Sequence, residues 1–188
     1  MQDFELIAKT FQGLEEVLAQ ELIELGADNV QIGRRMVSFT GDKAMMYRAN
    51  FCLRTAVRIL KPIKHFRAKD ADDVYKAVRS VDWSNYLDVN NTFAVDSVIY
   101  SPEFRHSKFV AYKVKDAIVD YFREHTGQRP NISVANPDIK LNSHSSGNSC
   151  TLSLDSSGDP LYKRGWRVAQ TDAPINEVLA AGIIKLKI

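Results

Sequence analysis

Two stretches of this 188-residue sequence set cations beside aromatic rings at spacings that could do chemistry. In the first, Lys108, Tyr112 and Lys115 stand four and three residues apart, so on a helix they share one stripe. In the second, Lys163, Arg164 and Arg167 are interleaved with Tyr162 and Trp166. Lysines attract phosphates in a salt-dependent way, arginines offer planar two-point phosphate donors, and rings give a platform for a base or sugar. Arg105, just ahead of the first stretch, completes the candidate set. The same residues also suit a solvated face, with Lys113–Asp116 and Asp120–Arg123 as ordinary helical pairs and the arginines as structural partners.

Catalytic patterns are missing from the sequence. The histidines (His65, His106, His125 and His144) share no paired spacing, and nothing completes a zinc set around them. No two glycines lie within two residues, so neither a dinucleotide fingerprint nor a phosphate loop can be written. Asn136-Pro137-Asp138 lacks the second proline and aromatic of an amine-holding tetrapeptide and reads as a turn before a strand. Cys52 and Cys150 are too few and isolated for a disulfide framework and read as reduced, semi-buried packing residues. The expectation is no catalytic, cofactor-binding or metal site in this chain.

The formal net charge of +2 predicts no polyanionic partner by itself. Its distribution says more. From Phe51 to Arg67 the bases Arg54, Arg58, Lys61, Lys64 and Arg67 meet no acid, whereas the flanking stretches are acidic. The N-terminus lacks the basic and apolar regions of a signal peptide, and no apolar run is long enough for a bilayer span. The expected setting is cytoplasmic, with no membrane partner.

Asp3–Lys9 alternates as a strand, and Phe11–Leu25 is an amphipathic helix stopped by Gly26. Strands at Asn29–Ile32 and Met36–Thr40, a helix capped by Asp42 and a strand at Thr55–Lys64 complete a β-α-β-β-α-β order, the ferredoxin-like arrangement. A second unit follows: a helix opened by Asp70 or Asp72 and running to about Val81, a strand at Thr92–Tyr100, and the long helix Lys108–His125. Strands at Asn131–Ala135, Asp138–Ser145 and Ser149–Asp155 come next, the last two joined by a turn at Ser146-Gly147-Asn148. On the long helix Val110, Val114, Ala117, Ile118, Tyr121 and Phe122 must face the core. Leu152 and Leu154 read as core, and Asp155–Pro160 as a sharp turn that aims Lys163, Arg164 and Arg167. A final apolar helix begins around Thr171–Pro174, and its lack of a stop signal at Ile188 suggests continuation into a longer protein.

Six segments together carry a resemblance: Phe11–Leu22, Met46–Leu60, Lys113–Phe122, Arg129–Leu141, Thr151–Arg167 and Ala173–Ile184. In this order they resemble the front half of a THUMP-containing RNA methyltransferase, and more closely the bacterial enzymes that methylate the guanine N2 amine in large-subunit ribosomal RNA. The resemblance implies an α+β fold in three parts. These are a ferredoxin-like domain over 1–65, a THUMP RNA-binding domain over 66–168, and a linker helix over 169–188 leading toward a methyltransferase domain not contained in this sequence. It implies S-adenosylmethionine for that further domain and none for this chain, which alone should be inactive. It implies large-subunit ribosomal RNA as partner, and it favours RNA contact for Arg105, Lys108, Tyr112, Lys115, Lys163, Arg164 and Arg167. The same module could serve tRNA methylation, thiolation or pseudouridine formation. A protein-interaction adaptor docking through the apolar last helix is the expectation from a different class.

Overall fold

A computed structural model describes residues 2–100 and 107–186. The chain forms two compact units, one made of residues 1–61 together with 156–188, the other of residues 62–155.

In the first unit, β1 (Phe4–Lys9) buries Leu6 and Ala8 completely. It lies between β3 (Met36–Gly41) and the first residues of β4 (Arg58–Arg67), antiparallel to both, while β2 (Asp28–Gly33) borders β3. The order β2-β3-β1-β4 is the ferredoxin-like arrangement that the element sequence demands. Helices α1 (Glu15–Leu25) and α2 (Lys43–Cys52) bury Leu18, Leu22 and Ala49 against Val37, Phe39 and Ile59. Asp42 caps α2 as expected, accepting from the Met45 N–H at 2.8 Å.

Helix α1 starts four residues later than its periodicity predicts. Gly13 sits at φ +89°, outside helical space, and the Glu15 carboxylate turns back to accept from the Gly13 N–H at 2.7 Å and the Arg35 N–H at 2.9 Å. Strand β4 also starts late, at Arg58 instead of Thr55. The buried Glu21 carboxylate takes the Arg54 and Thr55 N–H groups and the Thr55 hydroxyl, so those donors are lost to a ladder. Lys185 completes the set around Glu21 at 3.3 Å.

The second unit contains residues 62–67, which run beside β8 (Ser149–Asp155), then α3 (Ala71–Arg79), a single 3-10 turn at Trp83–Asn85, β5 (Thr92–Tyr100) and α4 (Ser107–Thr126). It closes with β6 (Asn131–Ile132), β7 (Ile139–Ser146) and β8. β5 is parallel to β6 and β7, and β7 is antiparallel to β8. β6 is shorter than the expected Asn131–Ala135 strand because only Thr92 and Phe93 of β5 face it. Helices α3 and α4 bring Val74, Val78, Val110, Val114, Ile118 and Phe122 onto Phe93, Val95, Leu141 and Leu152 of the sheet. Trp83 is fully buried there and donates its indole N–H to the Val78 carbonyl at 2.9 Å.

Past β8 the chain rejoins the first unit. The Ser156 N–H and hydroxyl both reach the Ile59 carbonyl, at 3.0 and 2.9 Å, and the Leu161 N–H reaches the Val57 carbonyl at 2.9 Å. Helix α5 (Glu177–Leu186) starts beyond the predicted Thr171–Pro174 boundary, because Asn176 supplies the cap, its side chain accepting from the Val178 N–H at 2.9 Å. Gly182 lets α5 approach the start of α1, since a Cβ there would collide with the Leu14 side chain. The thiols part company: Cys150 is buried as packing, but Cys52, expected to be semi-buried, is exposed at the end of α2.

Candidate nucleic-acid interface

Helix α4 divides its circumference as the heptad-like spacing of its apolar residues requires. Val110, Val114, Ala117, Ile118 and Phe122 are sunk in the core, leaving Lys108 and Tyr112 exposed and Lys115 half-exposed on the other side. The Lys115 ammonium lies 5.4 Å from the Tyr112 ring centroid. Phe109 is 53% exposed beside them, with the Lys113 ammonium 5.8 Å from its ring. Lys113 pairs at 3.3 Å with Asp72 of α3, not with Asp116, whereas Arg123 pairs with Asp120 at 3.5 Å as expected. Neither Lys108 nor Lys115 has a carboxylate partner among the described residues. Two unneutralised cations and two open rings thus share one exposed helix surface, which suits phosphates and stacked bases. Arg105 lies outside the described residues.

The second stretch is built differently. Arg164 donates from Nη1 to the Phe51 carbonyl at 2.7 Å and from Nη2 to the carbonyls of Asn50 and Leu53 at 2.6 and 3.0 Å. These are the acceptors that α2 leaves unpaired at its C-terminal end. Burial pushes the Arg164 guanidinium down from its ordinary value, a cost offset by the negative end of the helix and by nearby Glu21. Trp166 lies 5.3 Å from the same guanidinium. Arg167 donates Nε to the Glu177 carboxylate at 2.8 Å and Nη2 to the Ile175 carbonyl at 2.7 Å, and this bonding holds the Glu177 carboxyl below the usual carboxylate range. Only Lys163 is exposed with no side-chain partner among the described residues. The structure therefore brings Lys108, Tyr112 and Lys115 together on one helix, and spends Arg164 and Arg167 on the protein's own backbone and Glu177.

Three bases of the run from Arg54 to Arg67 are engaged within the protein along β4. Arg58 donates to the Gly158 carbonyl at 2.7 Å, Lys61 lies 4.0 Å over the Phe4 ring and Lys64 bonds Ser80. Among the described residues there is no cluster of three or more potential metal ligands, and no helix is long and apolar enough to cross a membrane.

An all-antiparallel four-stranded ferredoxin-like unit joined to a unit of mixed sheet and two helices defines the class. Residues 5–60 match the RlmL ferredoxin-like domain and residues 68–155 match the THUMP domain. The chain is an RlmL ferredoxin-like domain followed by a THUMP domain. It is 44% identical over 92% of its length to a ribosomal RNA large subunit methyltransferase K/L of Syntrophotalea carbinolica. Among solved structures it resembles a Listeria monocytogenes protein named from its sequence as an N6-adenine-specific DNA methylase, with a TM-score of 0.86, 30% identity and 99% of this chain covered. It also resembles SMU.472, assigned as a methyltransferase and complexed with S-adenosylhomocysteine, with a TM-score of 0.84, 29% identity and 99% covered. The chain spans 24% of the first relative's length, 47% of another curated relative's, and 49% of each solved chain.

Proposed function

We propose that this chain is the RNA-binding, substrate-targeting part of an S-adenosylmethionine-dependent methyltransferase acting on guanine N2 in large-subunit ribosomal RNA. The observation that carries the reading is the α4 surface, where Lys108 and Lys115 stand unneutralised beside the exposed Tyr112 on a THUMP domain. Lysine contacts of this kind grip RNA through its backbone and shape, which is how folded RNA is usually recognised. Lys163 and, ahead of α4, Arg105 extend the same reading as further phosphate contacts. Methyl transfer and S-adenosylmethionine binding belong, in this reading, to a part of the whole protein outside residues 1–188, in the cytoplasm. What supports it is the relative named as a large-subunit methyltransferase and the S-adenosylhomocysteine complex of a structural relative twice as long.

The name of the Listeria relative favours one competing reading, a DNA substrate. Gel-shift titrations across a potassium chloride series decide between them, using a large-subunit ribosomal RNA fragment and a DNA duplex of equal length. RNA binds more tightly, and Lys108→Ala and Lys115→Ala each lower the magnitude of the log–log salt slope by about 0.7–0.9. Equal affinity for the DNA, or slopes unchanged in both variants, refutes the proposal.

A further inference from the structure

The first unit contains a cleft of about 1120 Å³ that nothing in the α4 surface accounts for. One wall is the outward side of α2, with Tyr47, Arg48 and Phe51; Arg54 follows from the loop, and the returning segment supplies Arg164 and Trp166. The base is fixed by hydrogen bonds. Asn50 donates its side-chain N–H to the Met46 carbonyl at 2.9 Å and to the Ser156 hydroxyl at 3.0 Å, and its oxygen accepts from the Ser157 hydroxyl at 2.6 Å. The Arg164 bonds to the carbonyls of Asn50, Phe51 and Leu53 at the end of α2 close the far side. The cleft is therefore shaped before anything enters it.

Its chemistry is one-sided. Three rings stand open to water, with Phe51 84% exposed, Tyr47 60% and Trp166 55%. Arg48 and Arg54 are exposed with no carboxylate partner among the described residues, and no acidic side chain lines the cleft. A large ring left mostly in water forfeits the stabilisation that burial would give it. Three around one cationic cleft mark a surface completed by a partner. The complementary ligand carries flat apolar faces and negative charge in alternation. Duplex RNA hides its base faces in the stack, so it does not fit; unpaired nucleotides do.

We propose that this cleft is a second RNA subsite, which takes unpaired nucleotides by stacking bases on Phe51, Tyr47 and Trp166 while Arg48 and Arg54 meet the phosphates. The proposal rests on the RNA reading of the chain and assigns the first unit its own share of the recognition, unpaired segments, alongside the backbone grip on α4.

The cleft carries its own reporters. Cys52 lines it and is exposed, whereas Cys150 is buried; Trp166 is exposed, whereas Trp83 is fully buried. Iodoacetamide alkylation of Cys52 and Trp166 fluorescence are followed while an unstructured decauridylate or a blunt RNA duplex is added. The decauridylate slows Cys52 alkylation and quenches Trp166, the duplex does neither, and Phe51→Ala and Tyr47→Ala each weaken decauridylate binding about tenfold. Both rings project into water, so the variants fold, and each retains its affinity for the duplex. Decauridylate that binds while leaving Cys52 alkylation unchanged overturns the subsite, as does a Phe51→Ala variant of unaltered affinity. Equal protection by polyglutamate overturns it too, reassigning the cleft to acidic protein. Loss of the subsite alone leaves duplex binding intact, whereas loss of binding to every RNA refutes the RNA reading itself.

Discussion

The stretch Lys108–Lys115 on α4 and the stretch Tyr162–Arg167 after β8 contain the same kinds of residue, yet their cations meet different fates. On α4 the backbone carbonyls are already consumed within the helix, and Lys108 and Lys115 project from its flank with no carboxylate partner among the described residues. In Tyr162–Arg167 the chain passes the end of α2, where carbonyls have no intrahelical partner, and Arg164 is taken up by three of them. A cation's availability to a ligand is thus decided by its distance from unpaired acceptors, which its own neighbours in sequence do not report. Arginine, with donors in a rigid fork, is the side chain such acceptors select; lysine has no such geometry.

Four outcomes test that contrast. The largest effect belongs to Glu21, whose buried carboxylate secures the loop beside the Arg164 clamp. Glu21→Ala strands the Arg54 and Thr55 donors and costs about 3–5 kcal/mol in urea denaturation. Arg164→Ala comes next. Losing three charge-assisted bonds at a half-buried helix end lowers stability by about 2–3 kcal/mol, and Arg164→Lys restores only part of it. A loss within 0.5 kcal/mol, roughly that of an ordinary surface substitution, would erase the distinction between the two stretches. Lys108→Ala and Lys115→Ala should show that small change, about 0.5 kcal/mol or less in the same titration, while altering the salt dependence of RNA binding.

The smallest effect is a pH dependence. The bonds from Arg167 depress the Glu177 carboxyl in the folded state, so its contribution is complete above the ordinary carboxylate value and disappears as pH falls through the depressed one. The melting temperatures of wild type and Glu177→Gln therefore differ at neutral pH and converge under acid conditions. A gap that widens on acidification contradicts the assignment.

Most of the fold is legible in the sequence because its signals are local. Asp42 and Asp70 cap helices, Gly26 and Gly127 stop them with φ near +85° and +71°, and Leu6 and Ala8 in β1 and Cys150 and Leu152 in β8 mark buried faces. What escapes is set by partners far along the chain. Arg164 and Asn50 are 114 residues apart, and Ser157 and Asn50 107 apart, so neither Arg164's employment nor the base of the cleft leaves a trace in local pattern. Tyr47 and Phe51 did leave one, an i,i+4 spacing on α2. The same spacing serves core residues, and only the exposure of both rings separates the two meanings. Glu21 likewise looks like any solvated helical acid until the Arg54–Thr55 loop is seen to close over it.

The return of residues 156–186 to the first unit has a consequence for synthesis. The second unit is an insertion within the first, so the ribosome delivers the N-terminal sheet and its two helices long before the segment that seals α2. The inserted unit, continuous in sequence, can finish folding while its host is still incomplete. Until Ser156 to Arg164 emerge, the Asn50 side chain and the carbonyls that end α2 remain open to water or to chaperones. A fragment ending just after Asp155 would hold a folded second unit attached to a protease-sensitive first one.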